Sequence, residues 1–181
     1  MKKLLLHACC APCLSSVIER LKSETDYEIV VYFSNSNILS MAEYDKRKEA
    51  LSDFIKKVHP DTMVVYDKYI PQEFFDAIKG RESLGEGSIR CDSCIAYRLT
   101  KTAKYAKENG FDLFATTLSV SPHKNAQKIN EIGSALSREF GVDYLESDFK
   151  KRDGFLRSIK LSKEYNIYRQ VYCGCNNLLN I

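Results

Sequence analysis

Short apolar runs alternate with longer stretches of helical periodicity along this chain. The apolar runs are rich in Leu, Val, Ile, Tyr and Phe and predict five strands, at residues 3–8, 28–33, 62–66, 112–117 and 142–145. Between them, apolar residues recur every three or four positions, which predicts amphipathic helices. Five helices are predicted. The first starts at Pro12, the second covers residues 41–58, a short third one starts at Pro71, and the fourth covers residues 91–109. The fifth has Ser121 as its cap and Pro122 in its first turn.

The alternation of strands with helices predicts the fold class. Such a chain forms an α/β fold, a mostly parallel sheet with helices on both faces and right-handed crossovers. The sequence has no linker, repeat or low-complexity segment, so residues 1–181 are expected to form a single α/β domain with a basic C-terminal segment from about residue 149. Ligands of such sheets bind beyond the carboxyl ends of the strands.

Composition narrows the class of function. The net charge is only +3, so a surface for nucleic acid would have to be confined to one face. The first apolar run, residues 4–6, is too short for a secretory signal. No later run approaches the roughly 20 residues of a membrane span. We therefore expect a cytoplasmic protein without a membrane partner.

Seven cysteines in three groups carry the strongest chemical signal. One group follows the first strand, one begins the helix at residue 91, and one lies near the carboxyl terminus. They are Cys9, Cys10 and Cys13, then Cys91 and Cys94, then Cys173 and Cys175. Reducing compartments rarely build disulfide frameworks, so clustered cysteines favour metal binding or redox catalysis; the intracellular disulfides of a thermophile are the alternative.

Two Cys-x-x-Cys pairs predict a metal site. Cys10–Cys13 and Cys91–Cys94 each span a predicted helix start, where residues three apart share a face and free backbone amides favour thiolates. With Cys9 they place five thiolates at the ligand-binding edge of the sheet, whereas structural zinc prefers a small peripheral knuckle. An iron–sulfur cluster is therefore favoured. Because neighbouring side chains of an extended strand diverge, Cys9 and Cys10 are expected to serve different metals.

Other functions also fit these cysteines. Cys10–Cys13, between a strand and a helix, is the arrangement of a thioredoxin-like dithiol oxidoreductase, which would leave Cys91 and Cys94 unused. A zinc-stabilised RNA-binding module is the alternative that is not an enzyme. For Cys173 and Cys175 the sequence leaves three alternatives: a metal-binding pair, a strained redox pair, or residues without a chemical role.

Three further residues are candidates for proton transfer. His7 precedes the cysteines on the first strand, where the alternative is a hydrogen-bonded core histidine. His123 and Lys124 stand at a predicted helix start, where imidazole, ammonium and backbone amides suit a phosphate or a polar base. Ordinary helix capping explains that second pattern equally well.

A basic stretch near the carboxyl terminus is the candidate nucleic-acid surface. Residues 149–170 contain seven Lys or Arg against two acidic residues, with Tyr and Phe interleaved. This pattern suits phosphate contacts combined with stacking, while an ordinary solvated face is the alternative. The basic residues expected to contact the nucleic-acid backbone are Lys150, Lys151, Arg152, Arg157 and Lys160.

The motifs together resemble a known family. Residues 5–13, 90–94, 116–125 and 168–175 look like the motifs of the QueH-type epoxyqueuosine reductases, in the same order and along the whole chain. Two departures are visible. Asn35-Ser36-Asn37 stands where Asn-Pro-Asn is expected, and residues 176–179 replace the usual aromatic ending.

The resemblance implies a cobalamin-independent enzyme that converts epoxyqueuosine in tRNA to queuosine, with the basic residues above as tRNA contacts. It also implies an iron–sulfur cluster, expected as 4Fe-4S, an adjacent iron, and a fold similar to the PP-loop nucleotide-binding proteins. Their Ser-Gly-Gly-x-Asp-Ser loop is replaced by residues 8–13, so no ATP chemistry is expected. Asp92 is a candidate oxygen ligand or hydrogen-bond partner of the metal site. Electrons would come from an external ferredoxin- or flavodoxin-like donor.

Overall fold

A computed structural model describes residues 1–175 and has a parallel sheet at its centre. The strands are β1 Lys3–His7, β2 Glu28–Phe33, β3 Val64–Tyr66, β4 Leu113–Thr116 and β5 Asp143–Tyr144. They lie in the order β3-β2-β1-β4-β5, and every pairing is parallel. The predicted α/β fold class is confirmed.

Helices cover both faces of the sheet. They are α1 Ala11–Glu24, α2 Met41–Val58, α3 Pro71–Ala77, α4 Ile89–Glu108, α5 Ala126–Phe140 and α6 Gly154–Glu164. One face packs on α1 and α2 and the other on α4 and α5, so the central strand β1 is buried on both sides, with no exposed surface at Leu4, Leu5 or Leu6. Within residues 1–175, none of the helices is long and apolar enough to span a membrane.

The strand order places a crevice beside β1. The chain runs from β1 outward to β2 and β3, then returns to β4 on the other side of β1. The carboxyl ends of β1 and β4 therefore flank the point at which the winding direction reverses, and ligands of open α/β sheets bind there. β1 ends at His7, just before the first cysteines, and β4 ends at Thr116.

The segment after β4 differs from its prediction. Ser121 and Pro122 were expected to cap and start a helix, but a 3₁₀ turn occupies Thr117–Val120 and α5 begins only after Asn125. The Asn125 side chain accepts a backbone amide of the first helical turn, which makes it the cap. Pro122 lies in the connection instead. The other predicted boundaries agree within two residues, and α2 matches at both ends.

The basic C-terminal segment contains a helix that the sequence pattern did not predict. This helix, α6, packs against α1. Arg157 donates two hydrogen bonds to the Glu19 carboxylate, at 2.8 and 2.6 Å, and Arg152 lies 3.1 Å from Glu24. Both acidic partners belong to α1, so these basic residues hold the C-terminal segment against α1. The tail whose departure from the family was noted above lies outside the described residues.

Candidate metal and substrate site

The turn from β1 into α1 brings three thiols together, and we call Cys9, Cys10 and Cys13 the thiol triad. Their Sγ atoms lie within 4.8 Å of one another. Cys10 caps α1 and Pro12 sits in its first turn, so Cys10 and Cys13 share the start of the helix. In the part of the chain that the structure describes, the triad is the one group of at least three potential ligand side chains close enough to share a metal ion.

The expected divergence of Cys9 and Cys10 is wrong. It assumed an extended backbone through both residues, but β1 ends at His7 and the chain bends at Cys9 before α1 begins. The two Sγ atoms are consequently only 3.7 Å apart. Side-chain divergence therefore gives no reason to assign Cys9 and Cys10 to different metals.

The hydrogen bonds within the triad move the pKa values of its thiols in opposite directions. Hydrogen bonds from Cys10 and Cys13 lower the pKa of Cys9 well below its ordinary value, and the Arg98 guanidinium lowers it further. The hydrogen bonds to Cys10 and Cys9, together with burial, raise the pKa of Cys13. For Cys10, the bond with Cys13 lowers the pKa, but the bond to Cys9 and burial outweigh it and raise the pKa to about 12. Three adjoining thiols, one of them with a lowered pKa, are a donor set already assembled for a soft metal.

His7 is buried and hydrogen-bonded through both ring nitrogens. Nε2 lies 3.2 Å from the Ser34 carbonyl oxygen, which only accepts, so Nε2 carries the proton. Nδ1 accepts from the Thr116 hydroxyl at 2.9 Å. Burial lowers the pKa of His7 to about 3, and the charge of Arg98 acts in the same direction. This geometry favours the alternative of a core histidine that joins the ends of β1 and β4.

Sequence reasoning missed a buried arginine beside the triad. Arg98 of α4 is 3% exposed and donates to the Asn35 amide oxygen at 2.5 Å. Asn35 in turn donates to the Ala8 carbonyl at 2.9 Å, which ties the guanidinium to the end of β1. The Arg98 Nε makes no hydrogen bond within residues 1–175. A signal was available, because Arg98 stands four residues after Cys94 on the buried face of a predicted helix.

The second Cys-x-x-Cys pair lies at the start of α4, as predicted. Cys91 accepts the Gly87 amide at 3.3 Å, and Cys94 is buried, which raises its pKa to about 11. Both line a cavity of about 130 Å³, the smaller cavity. Asp92 lines it too, with its carboxylate 3.9 Å from the Lys128 ammonium. The pair does not join the thiol triad within ligand distance.

The third cysteine pair lies on residues 168–175, which we call the C-terminal strap. Arg47 of α2 donates to the Tyr172 carbonyl at 3.1 Å, and the Leu39 amide donates to the Gly174 carbonyl at 3.1 Å. A Cβ on Gly174 would meet Ile38 at 2.6 Å, so only glycine permits this approach. The residues on both sides of Cys173 are therefore fixed by residues more than 120 positions earlier.

The two strap thiols have opposite electrostatics. Their Sγ atoms are 4.0 Å apart, with Cys175 donating to Cys173. That hydrogen bond, together with the Lys124 ammonium, outweighs burial and lowers the pKa of Cys173 to about 5. The same bond, with burial, raises the pKa of Cys175. Cys175 is 4% exposed and packs with Phe74 and Cys94.

A larger cavity of about 610 Å³ lies between the triad and the strap. It is lined by Cys9 and Cys13 on one side and by Cys173 on the other. The two cavities adjoin, because the following residues line both: Glu86, Arg98, His123, Lys124 and Cys173. The structure thus brings all three cysteine groups to one connected space, at the crevice that the strand order predicts.

Lys124 and His123 stand where the two cavities meet. Burial alone would lower the pKa of Lys124, but the thiolates of Cys173 and Cys9 outweigh it and raise the pKa above its ordinary value. Lys124 is therefore a protonated side chain close to the cysteines of the triad and of the strap. His123 is exposed at the mouth and its backbone amide donates to the Ser121 hydroxyl.

Most of the basic residues expected to contact tRNA are paired with acidic side chains. Lys150 lies 2.8 Å from Asp148 and Lys151 lies 3.9 Å from it. The two arginines pair with α1, as described above. Lys160 is exposed and has no ion pair within residues 1–175. Contact with tRNA stays a prediction, and its strongest remaining candidates are Lys151 and Lys160.

The donor chemistry of the site fits iron. Three neighbouring sulfurs suit the soft metals that proteins bind through cysteine, chiefly zinc and iron–sulfur clusters. Structural zinc is enclosed by four ligands. Here the triad instead opens onto a cavity large enough for a substrate. This arrangement belongs to a reactive centre rather than to a structural one.

Fold and site together define a parallel α/β protein with a thiol-rich candidate metal site at the carboxyl edge of its sheet. The family model "Epoxyqueuosine reductase QueH" matches residues 4–178. Proteins with this name are 44% identical over 176 residues in Streptococcus pyogenes serotype M1 (95% of this chain, 68% of the relative) and 39% identical over 178 residues in Thermotoga maritima (97% and 89%). The chain belongs to the QueH family of epoxyqueuosine reductases, which confirms the resemblance seen in its motifs.

Proposed function

We propose that this chain reduces epoxyqueuosine in tRNA to queuosine, the last step in forming that nucleoside. The observation that carries the proposal is the thiol triad opening onto the larger cavity in a member of this family. In the reaction both C–O bonds of the epoxide break, an alkene forms, and the oxygen leaves as water. The site must therefore provide two electrons, two protons and room for a nucleobase.

The metal is held by the two cysteine groups at helix starts. The triad supplies three thiolates from the start of α1, and Cys91 and Cys94 supply two from the start of α4, where free amides stabilise negative charge. A 4Fe-4S cluster and an adjacent iron held by these residues would supply single electrons and a Lewis acid for the epoxide oxygen. Neither cobalamin nor ATP is needed to balance the reaction.

Lys124 is the proton donor that the geometry favours among the three candidates. It lines both cavities, and the nearby thiolates keep it protonated at neutral pH. His123 shares the position but is more exposed. His7 lines neither cavity and uses both ring nitrogens inside the protein, so it positions the β1–α1 turn.

The larger cavity takes the modified base out of the tRNA stack. Its volume lies within the range of small-molecule sites, roughly 300–1,000 Å³, and enzymes that act on bases bind them extruded in such pockets. Asn37 and Gln170 line this cavity, and the side-chain oxygen of each is buried without a hydrogen-bond partner within residues 1–175, so each is an acceptor available to the N–H groups of a base. Lys151 and Lys160 contact the tRNA backbone, and a ferredoxin- or flavodoxin-like protein of the cytoplasm supplies the electrons.

The test is turnover by anaerobically prepared, iron-reconstituted protein. We expect it to be brown and, with dithionite and tRNA carrying epoxyqueuosine, to yield a nucleoside lighter by one oxygen, detected by mass spectrometry after digestion. Protein reconstituted with zinc is the matched control and should bind tRNA without turnover. A colourless protein that holds one zinc and leaves the epoxide intact would instead identify a zinc-stabilised tRNA-binding module.

A further inference from the structure

A buried positive charge lies among the three cysteine groups. Arg98 is 3% exposed and lines the larger cavity together with Cys9 and the smaller cavity together with Cys94. Cys91, Cys94 and Arg98 follow one another along α4 at intervals of three and four residues, so they share one face of the helix. The guanidinium therefore faces the same connected space as the thiols of both helix starts.

No carboxylate pairs with this charge in the part of the chain that the structure describes. The guanidinium donates to the Asn35 amide oxygen, a neutral group, and its Nε has no partner within residues 1–175. Glu86 lines both cavities, but it is exposed and forms no ion pair with Arg98. By contrast Arg47, a buried arginine of α2, has the Glu43 carboxylate at 2.6 Å. Because burying an unpaired ion is costly, the surroundings of Arg98 are suited to an anion in the cavities.

The charge of Arg98 acts on thiols of all three cysteine groups. Hydrogen bonds from neighbouring thiols have the largest effect on the pKa of Cys9 and of Cys173, and burial has the largest effect on the pKa of Cys94. At each of the three the guanidinium lowers the pKa, so it stabilises negative charge on sulfur. Lys124 also lines both cavities, but an ammonium can release its proton, whereas a guanidinium stays charged.

We propose that Arg98 is the fixed counter-charge of the metal centre and raises its reduction potential, so that the centre accepts electrons more readily from the donor. This rests on the proposed function, since it requires an iron–sulfur centre held by the cysteines. Thiolate-ligated clusters are anionic and gain one further negative charge on reduction, and their net charge and surroundings set the potential. A nearby positive charge therefore stabilises the reduced form more than the oxidised form. Lys124 keeps the separate role of proton donor.

The guanidinium is oriented from the turn that carries the thiol triad. Asn35 accepts from Arg98 at 2.5 Å and donates to the Ala8 carbonyl at 2.9 Å, directly before Cys9. Arg98, Asn35 and Ala8 are all buried. Replacing the Asn35 amide with a carboxylate would therefore neutralise Arg98 in place without removing the arginine. The charge can thus be cancelled in two independent ways, by Arg98→Gln and by Asn35→Asp.

Redox titration of anaerobic, iron-loaded protein tests this role, with absorbance and electron paramagnetic resonance as readouts. Arg98→Gln and Asn35→Asp should each keep their iron and shift the equilibrium at least tenfold toward the oxidised centre, a potential lower by about 59 mV for one electron. Arg98→Lys keeps a positive charge and should stay close to the wild-type potential. Lys104→Gln is the matched control, because it removes one positive charge from the exposed side of the same helix, outside both cavities. Its potential should equal that of the wild type.

Several results would overturn the counter-charge. Potentials of Arg98→Gln and Asn35→Asp equal to that of Lys104→Gln would do so. A potential of Arg98→Lys as low as that of Arg98→Gln would assign the effect to the shape of arginine rather than to its charge. Weaker tRNA binding by Arg98→Gln at an unchanged potential would make the arginine a substrate contact. All of these leave the proposed function standing.

Two further outcomes concern the metal itself. Circular dichroism reports whether each variant has folded, and Asn35→Asp carries the comparison if Arg98→Gln folds poorly. Iron lost from both variants although they are folded would make Arg98 necessary for binding the metal and would reject a role confined to its charge balance. A colourless wild type rejects the iron centre of the proposed function, and the role of Arg98 falls with it.

Discussion

The thiol triad and the C-terminal strap bring cysteines to the same connected cavities, but they are built in different ways. The triad arises within five consecutive residues, where a buried strand bends into a helix start. The strap has no regular secondary structure between residues 168 and 175 and takes its shape from α2 and from residues 38 and 39. One centre is encoded locally and the other by contacts across the fold.

This difference bears on which region suits a metal. A centre that must hold a metal needs sulfurs whose positions depend on as few other contacts as possible, and a strand-to-helix turn provides that. The strap instead places its two thiols through contacts with distant residues. Substitutions should therefore have local effects in the triad and effects through positioning in the strap.

The largest expected effect follows from replacing a buried thiol in each region. Cys10→Ala should remove iron and colour, because the triad cannot spare one of three sulfurs. The loss of affinity should exceed the ~10–100-fold that follows from removing an outer partner of a metal ligand. Cys175→Ala, the matched change at an equally buried strap thiol, should retain iron. The measurement is the iron content of both proteins after reconstitution. Equal iron contents would mean that the triad and the strap do not differ in holding the metal.

The same contrast explains what the sequence could predict. The buried run at residues 4–6, the periodicity of residues 41–58 and the spacing of Cys10 and Cys13 are local patterns, and each led to the correct element or neighbour. Arg98, Asn35 and the anchoring of Tyr172 were missed, because each depends on a partner more than 60 positions away. The position of Arg98 one helical turn after Cys94 was a local signal that it faces the site, but no local pattern encodes the distant partners themselves.

Errors within local prediction have a different cause. Ser121-Pro122 and Asn125 are both plausible helix starts, and only the 3₁₀ turn after β4 decides between them. The divergence of Cys9 and Cys10 failed because the predicted strand was one residue too long and the bend at Cys9 was not anticipated. An error of one residue in the end of a strand matters most at a functional site, because successive side chains of a strand point to opposite faces.

The second prediction compares two neighbouring thiols of metal-free protein. Cys173, with its pKa lowered to about 5, is a thiolate at neutral pH, whereas Cys94, with its pKa raised to about 11, is a thiol. Since only the thiolate reacts, iodoacetamide should modify Cys173 at least ~100-fold faster. The Cys173 rate should stay level as the pH falls from neutral and drop only near 5, while the Cys94 rate rises steadily with pH. Peptide mass spectrometry gives both profiles, and parallel profiles would contradict the assignment.

The third prediction tests the anchoring of the strap. In Gly174→Ala the new methyl would lie 2.6 Å from the Ile38 side chain and 2.8 Å from its backbone, so the strap must move. Overpacking of this kind costs ~1–3 kcal/mol of the free energy of unfolding. Gly85→Ala is the matched control, because its added Cβ meets nothing within 4 Å. Thermal unfolding should show a lower Tm for Gly174→Ala alone. Equal Tm values would mean that the strap tolerates displacement and does not hold its cysteines rigidly.

The smallest effect is expected on the outer side of the C-terminal segment, where basic residues divide into two sets. Arg152 and Arg157 are engaged with α1. Lys160 has no ion pair within residues 1–175, and Lys151 has only a long, 3.9 Å contact with Asp148, so we expect these two lysines to reach phosphates. Binding to phosphates releases counterions, so the affinity falls as the salt concentration rises. Each lost phosphate contact lowers the slope of log affinity against log salt concentration by about 1. The Lys151→Ala, Lys160→Ala double variant should bind tRNA a few-fold more weakly, with a slope lower by about 2 if both residues contact phosphates. Arg157→Ala should keep the slope and lose at most ~1 kcal/mol of stability, as an exposed ion pair does. Should the double variant follow the wild-type curve across the salt series, the tRNA surface lies nearer Lys124, and the basic segment serves only to hold α6 against α1.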